Sequence, residues 1–383
     1  MRWVGRVEGF ALEDETPEAL LPQLRFLNRG ARLGVAAALE AAAQAGLTAA
    51  AAPARRALIV ATGDHTKVGY EFLFPATRVA TAGRWREVDR ATLNRVSVER
   101  VNPTFLLESL NNNPFSFLAA LFGCRGAGTS LASQSPSGSL AVELAYRTIR
   151  RGRADIALAV GCGSWVNEVP LFELAELGLL SRGRRGASSF RPFDRRRDGF
   201  LAGEGGAAMV LEDADRASRR GATVLATVEG AGGCGAGAGS AVGDAALRAV
   251  ELALDDAGRT PHEVGFIAAH GSATRRGDAA ELSAVATLVG DAAPRVPVCA
   301  LKPYTGHMGA ASDVGEIVLG VLAADARTVP ATPNFVATEP RFERLAIAAR
   351  PRPCAHARCL SLAYGFGGQA SAVLVSGVNR AGG

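Results

Sequence analysis

Short continuous apolar runs recur along this chain, each bounded by glycine or proline and separated from the next by a stretch of helical composition. Arg56–Thr62 (RALIVAT), Ala154–Val160 (ADIALAV) and Val264–Ala269 (VGFIAA) are of this kind. They are too short for buried helices and lack the alternation of half-exposed strands, so they read as strands covered on both faces of a parallel sheet. Parallel neighbours need a crossover, usually a helix. Gly30–Ala45, Pro103–Leu110, Pro114–Phe122 and Ser139–Arg151 supply helices in the first half. Asp213–Arg220, Asp244–Ala257, Ala279–Leu288 and Gly309–Ala323 supply them in the second. Further strands are expected at Gly128–Ala132, Ala207–Glu212, Thr223–Glu229, Val296–Ala300, Cys359–Ala363 and Ser371–Ser376, with a weak one over Trp3–Leu12. The similar order in both parts predicts an α/β protein with a duplicated unit, residues 1–212 and 213–383.

Composition narrows the function. With 48% hydrophobic and 21% charged residues among 383, the chain has ample material for a packed core. Only 6% are aromatic, against 45 glycines, which disfavours a stacking surface for nucleic acid. The net charge of +5 comes mostly from arginine in short clusters, a pattern suited to phosphates or an acidic protein. The basic stretch Ser181–Gly199 reads as a loop, for which a solvated charged surface is the plain explanation. Six scattered cysteines show no CxxC pair, so neither a disulfide scaffold nor a zinc site is expected. No run is long and apolar enough to span a bilayer, and the N-terminus has no export pattern, so a cytoplasmic protein without a membrane span is expected.

Three polar clusters fall at the ends of predicted strands, where open α/β sheets place their sites. The first, Ser133-Gln134-Ser135-Pro136-Ser137-Gly138-Ser139, joins a strand to a helix N-terminus, where free backbone N–H groups and the helix dipole favour a nucleophile. Helix capping alone would also account for serine and proline there. The second, His270-Gly271-Ser272-Ala273-Thr274 with Asp278 and Glu281, sets a histidine directly after a buried strand. The third, Lys302 to Gly309, places a lysine five residues before His307, so that the cation can hold an imidazole neutral and stabilise a developing oxyanion.

Together these clusters resemble one family. His270–Glu281 (HGSATRRGDAAE) looks like the HGTGTxxGDxxE motif of the β-ketoacyl-acyl-carrier-protein synthases, and Lys302–Ala311 resembles their KxxxGHxxGAA. Arg191-Pro192-Phe193-Asp194, followed by Arg197-Asp198-Gly199-Phe200 and Gly203-Glu204-Gly205, is similar to RPFDxxRDGFxxGEG. Gly365-Phe366-Gly367-Gly368 resembles the GFGG loop, and the likeness spans about residues 55 to 378.

The resemblance implies a thiolase-type fold: two similar βαβαβαββ halves in a five-layered α-β-α-β-α core, dimeric through the strand before the nucleophile. It implies chemistry on acyl groups carried by the phosphopantetheine arm of an acyl carrier protein, with no cofactor bound to the chain itself. A cysteine takes the acyl group, and two histidines promote decarboxylation of a malonyl unit. By motif, the histidines are His270 and His307, supported by Lys302. Phe366 is the gate of the pocket, with Gly365, Gly367, Gly368 and Thr274 as neighbouring substrate-contact positions. The clusters Arg150–Arg153 and Arg182–Arg185 are candidates for meeting the carrier.

The chain departs from the family at the nucleophile. Members read roughly A-C-x-S-G, whereas Gln134-Ser135-Pro136-Ser137-Gly138 puts Ser135 in the cysteine position. A thiol of pKa about 8.5 ionises readily at a helix N-terminus, whereas a hydroxyl needs a positioned base. Leu362-Ala363-Tyr364 replaces Asn-Ser-Phe, Ala370 stands for asparagine, the N-terminal segment lacks the TGxG turn, and Gly230–Gly243 is a short Gly/Ala stretch. Three readings follow. One is a chain-length-factor-like subunit, paired with a cysteine-bearing ketosynthase or with itself. The second is an acyltransferase using Ser135 with a histidine base, or a malonyl-carrier decarboxylase using His270 and His307. The third is a non-catalytic binding module on an inherited fold, which predicts a filled pocket.

Overall fold

The computed structural model describes residues 3–63, 70–108, 110–133, 135–237 and 242–378; Gln134 and the end of the glycine-rich stretch lie outside them. The strands are β1 (Arg56–Thr62), β2 (Gly128–Ala132), β3 (Ile156–Ser164), β4 (Glu204–Glu212), β5 (Ala226–Gly235), β6 (Phe266–Ala269), β7 (Pro297–Ala300), β8 (Thr328–Val329), β9 (Ala346–Ile347), β10 (Arg352–Pro353), β11 (Arg358–Tyr364) and β12 (Gln369–Gly377). The helices are α1 (Arg29–Ala45), α2 (Leu47–Ala50), α3 (Tyr70–Ala80), α4 (Arg90–Arg100), α5 (Phe105–Glu108), α6 (Asn113–Phe122), α7 (Ser137–Arg150), α8 (Glu168–Glu176), α9 (Ala214–Arg219), α10 (Val242–Ala257), α11 (Arg275–Val289) and α12 (Ala310–Asp325).

Two main sheets form, one from each half. The first has the order β2-β1-β3-β4, and the second β5-β12-β11-β6-β7-β9. β1 pairs parallel with β2 and β3, and β6 pairs parallel with β7 and β11. The last strand added to each half, β4 or β12, is antiparallel to its neighbour. Helices α7 and α12 lie between the sheets, α1 covers the outer face of the first, and α10 with α11 covers the second. This is the five-layered thiolase-type arrangement, and the central helices explain why β3 is buried at all nine positions.

The middle layer is thin because small residues line it. A methyl group on Gly138 of α7 would lie 2.1 Å from the carbonyl of Ala310 on α12. Only glycine permits that approach, and it brings the N-termini of the two helices, each carrying part of the site, into contact.

Some expected elements differ. Trp3–Leu12 is not a strand but contributes a single bridge, Gly5 to Gly203. The helix expected over Pro103–Leu110 is one turn, α5, with the Asn102 carboxamide oxygen accepting the Thr104 N–H at 3.0 Å. β5 begins at Ala226, later than expected, and runs on to Gly235, where glycines let it pack on α10. α11 starts at Arg275, capped by Thr274, whose hydroxyl accepts the Gly277 N–H. Ser181–Gly199 is not a solvated loop throughout, since Arg191, Asp194 and Arg197 in it are buried.

Candidate active site

The site assembles where three strand ends meet the central helices. Ser135 follows β2 and precedes α7, His270 follows β6, and His307 lies between β7 and α12. All three line one cavity of about 1700 Å³, together with Trp165, Phe200, Tyr364 and Phe366. Chain segments 172 residues apart are thus brought onto one surface by the sheet order, with His270 and His307 ring centroids 5.4 Å apart and edge to face.

Each histidine is held by its surroundings. His307 stacks on Trp165 at 4.6 Å and packs against Phe200 at 4.8 Å. Its Nδ1 accepts the Gly309 N–H at 3.2 Å, so the neutral ring carries its proton on Nε2. His270 lies 4.4 Å from the Tyr364 ring, and its Nδ1 has no hydrogen-bond partner among the described residues. Its backbone turn is tied down by Glu281, which accepts the N–H groups of His270 at 2.5 Å and Gly271 at 2.9 Å. Burial drives both imidazoles well below 6.5, with the Lys302 ammonium adding to it. Both rings are therefore neutral N–H donors at physiological pH.

Lys302 is buried and donates to the His270 carbonyl at 2.8 Å and to Glu316 Oε2 at 2.7 Å. Its charge thus lies on the backbone of one histidine while its field reaches both. Burial pushes Glu316 up to about 7 against the pull of that ammonium.

The remaining motifs are scaffolding for this centre. Asp278 Oδ2 accepts the Phe193 N–H at 2.7 Å and faces Arg197 at 3.5 Å. Arg197 also donates to the carbonyls of Thr274 and Arg275 and to Glu339. The buried arginine therefore clamps the turn after His270 to Glu339, in the segment between β8 and β9. Asp194 closes the same region by accepting the Val336 N–H at 2.9 Å.

Among the described residues Ser135 does not engage an imidazole. Its hydroxyl donates to Asp313 Oδ1 at 2.8 Å, and Asp313 Oδ2 accepts the Gly138 N–H at 3.2 Å. The hydroxyl's partner is thus a carboxylate on α12, where the alternative reading expects a histidine. Asp313 and Glu316 were not among the sequence candidates, although two acidic residues three apart at the start of a largely apolar helix were a visible signal. None of the six cysteines occupies this turn.

Among the loop candidates, Gly365 abuts Ser135 and Phe366 lines the cavity while remaining half-exposed. Gly367 has open space around it, and Gly368 adopts a φ of +75°. Thr274 lines the cavity at its α11 side. The two arginine clusters part company. Arg182, Arg184 and Arg185 line the cavity with Arg275 and Arg276, whereas Arg150 lies at the end of α7, paired with Asp256 at 2.5 Å.

Comparison with known proteins agrees with this architecture. Residues 5–217 match the β-ketoacyl synthase N-terminal domain and residues 222–336 the corresponding C-terminal domain. The chain belongs to the β-ketoacyl synthase family. It is 31% identical, over 379 residues, to a Streptomyces halstedii protein described as a polyketide β-ketoacyl synthase, covering 96% of this chain and 85% of that one. A 3-oxoacyl-[acyl-carrier-protein] synthase 2 of Mycobacterium bovis is 33% identical over 247 residues, 63% of this chain and 59% of its own. The ishigamide ketosynthase/chain length factor superposes with a TM-score of 0.81 at 26% identity, covering 97% of this chain and 87% of that one. A β-ketoacyl synthase from Burkholderia phymatum shares the fold with a TM-score of 0.82 at 24% identity, over 98% and 88% of the two chains. Among the described residues no helix is long and apolar enough to cross a membrane.

Proposed function

We propose that this chain is a ketosynthase-family subunit of a dissociated polyketide or fatty-acyl assembly line, in which His270 and His307 decarboxylate a malonyl unit delivered on the phosphopantetheine arm of an acyl carrier protein. The observation that carries this reading is the pair of neutral imidazoles lining one cavity, with the His307 tautomer set by Gly309. Loss of carbon dioxide leaves negative charge on the thioester oxygen, and two preorganised N–H donors on buried rings stabilise it. No metal or bound cofactor is required for that step.

The growing chain is held elsewhere in this reading, on a cysteine-bearing ketosynthase paired with this subunit. Among the described residues the outer edge of β2 bears no strand in the sheet order, and Leu73, Phe74, Trp85, Leu106, Leu107 and Leu110 on the segments leading to it are exposed. An open strand edge beside apolar residues suits a second subunit of the same fold. The likeness to a ketosynthase/chain length factor supports that arrangement, and the cavity arginines suit the phosphate of the arm and an acidic carrier.

The test is release of carbon dioxide from malonyl-loaded carrier protein. Replacing His270 or His307 by alanine is expected to lower the rate by about 10²- to 10³-fold, the usual cost of removing one oxyanion donor. A rate equal to that of buffer in the unmodified protein, alone and with a cysteine-bearing ketosynthase, would overturn the reading.

A further inference from the structure

The Ser135–Asp313 contact is not needed for decarboxylation, yet it is built with care. Ser135 lines the cavity, while Asp313 is almost fully buried behind it. One carboxylate oxygen is fixed by the Gly138 N–H, leaving the other aimed at the Ser135 hydroxyl. The nearby cation is committed elsewhere, because Lys302 bonds to Glu316 and to the His270 carbonyl. The carboxylate is thus held by a hydroxyl and backbone amides, without a direct ion pair, and it keeps its basicity.

The imidazoles are poorly placed for the same task. His307 presents an N–H at Nε2 because Gly309 occupies the lone pair of Nδ1, and a donor cannot take a hydroxyl proton. His270 Nδ1 accepts no hydrogen bond among the described residues, so it is not engaged with the Ser135 hydroxyl. Among the described residues, the base in contact with the hydroxyl is Asp313.

We propose that Ser135 and Asp313 form a nucleophile and base pair through which this chain accepts an acyl group from a pantetheine thioester as an oxygen ester. The Ser135 Oγ–carbonyl bond forms and the carbonyl–sulfur bond breaks. The hydroxyl proton passes to Asp313, the thiolate leaves and takes a proton from water, and Asp313 returns its proton to water. No oxidant or reductant enters. Burial raises the Asp313 carboxyl to about 7, which suits a base at physiological pH. The inference rests on the thioester chemistry proposed above but adds a covalent step to it.

The test uses acetyl-pantetheine, with intact mass and peptide mapping of the full chain as readout and carbon dioxide release from malonyl-pantetheine run in parallel. The wild type should gain one acetyl group on Ser135, and Ser135→Ala should gain none. Asp313→Asn, which keeps an acceptor but removes the base, should label at least about a hundredfold more slowly. Because a thiol ionises without help, Ser135→Cys/Asp313→Asn should label as fast as Ser135→Cys, within about tenfold. Absence of any adduct while carbon dioxide is released would overturn this inference and leave the decarboxylase reading standing. Labelling of Asp313→Asn at the wild-type rate, or failure of the cysteine double variant to recover, would overturn the role of Asp313 as base.

Discussion

Gly365 presses its α-carbon onto the carbonyl of Ser135 so closely that a methyl group there would stand 1.8 Å from the oxygen. The loop bearing Phe366 is therefore registered directly on the Ser135 turn, and the cavity wall is set by backbone against backbone. Gly365→Ala is expected to push the loop outward. Overpacking of this kind costs about 1–3 kcal/mol, read as a lower denaturation midpoint in urea, with a larger effect on carbon dioxide release than Gly367→Ala. Equal effects of the two substitutions would show that the contact does not shape the site.

Lys302 and Glu316 form a buried ion pair at 2.7 Å. Lys302→Met leaves Glu316 without its cation and the His270 carbonyl without its donor, an expected loss of about 3–5 kcal/mol of stability. The double variant Lys302→Met/Glu316→Met should recover part of that loss, since no charge is then stranded. Guanidinium unfolding of the three proteins decides it, and a single-variant cost below about 1 kcal/mol would contradict the pairing.

Asp313 gives stability a definite pH dependence. Its folded carboxyl is raised from 3.8 to about 7 by burial, so the folded protein holds a proton that the unfolded chain releases across that interval. The contribution is present at low pH and is lost as pH rises toward about 7, at up to about 1.4 kcal/mol per unit. Relative to Asp313→Asn, the wild type should therefore lose stability between pH 5 and pH 7 and run parallel to the variant above pH 8. Parallel curves throughout would place the ionisation elsewhere.

Arg184, Arg185, Arg275 and Arg276 line the cavity and are exposed. Reversing two of them to glutamate should raise KM for malonyl-carrier by about tenfold at low salt and by less at high salt. The rate with malonyl-pantetheine, which lacks the carrier protein, should change much less. An equal loss with both substrates would assign these residues to the chemistry instead.

Much of the fold was legible in the residues because buried parallel strands carry continuous apolar runs. β1 occupies the stretch expected of it, and β3 lies within two residues of its expected start. Motif spacing likewise pointed to His270, His307 and Lys302, which do line or support one cavity. Trp3–Leu12 failed as a strand because its composition says little about whether a neighbour is available to pair with it. The RPFD segment was misjudged for a related reason: a run of arginines looks solvated until the carboxylates and carbonyls that satisfy it are known. Arg197 meets Glu339 and Asp278, 142 and 81 positions away.

The amino-acid order alone determined the family, the duplicated α/β plan and the presence of Ser135 between β2 and α7, because each is written in local composition and spacing. It did not determine which group meets that serine. Asp313 lies 178 positions further on and reaches the hydroxyl only because Gly138 lets α7 and α12 touch at their N-termini. The protonation of the histidines was decided in the same way. Their neutrality comes from burial and from a lysine charge placed by the meeting of separate elements, and the His307 tautomer from one backbone N–H. Such quantities depend on distance and on exclusion of water, and both exist only once the layers have packed.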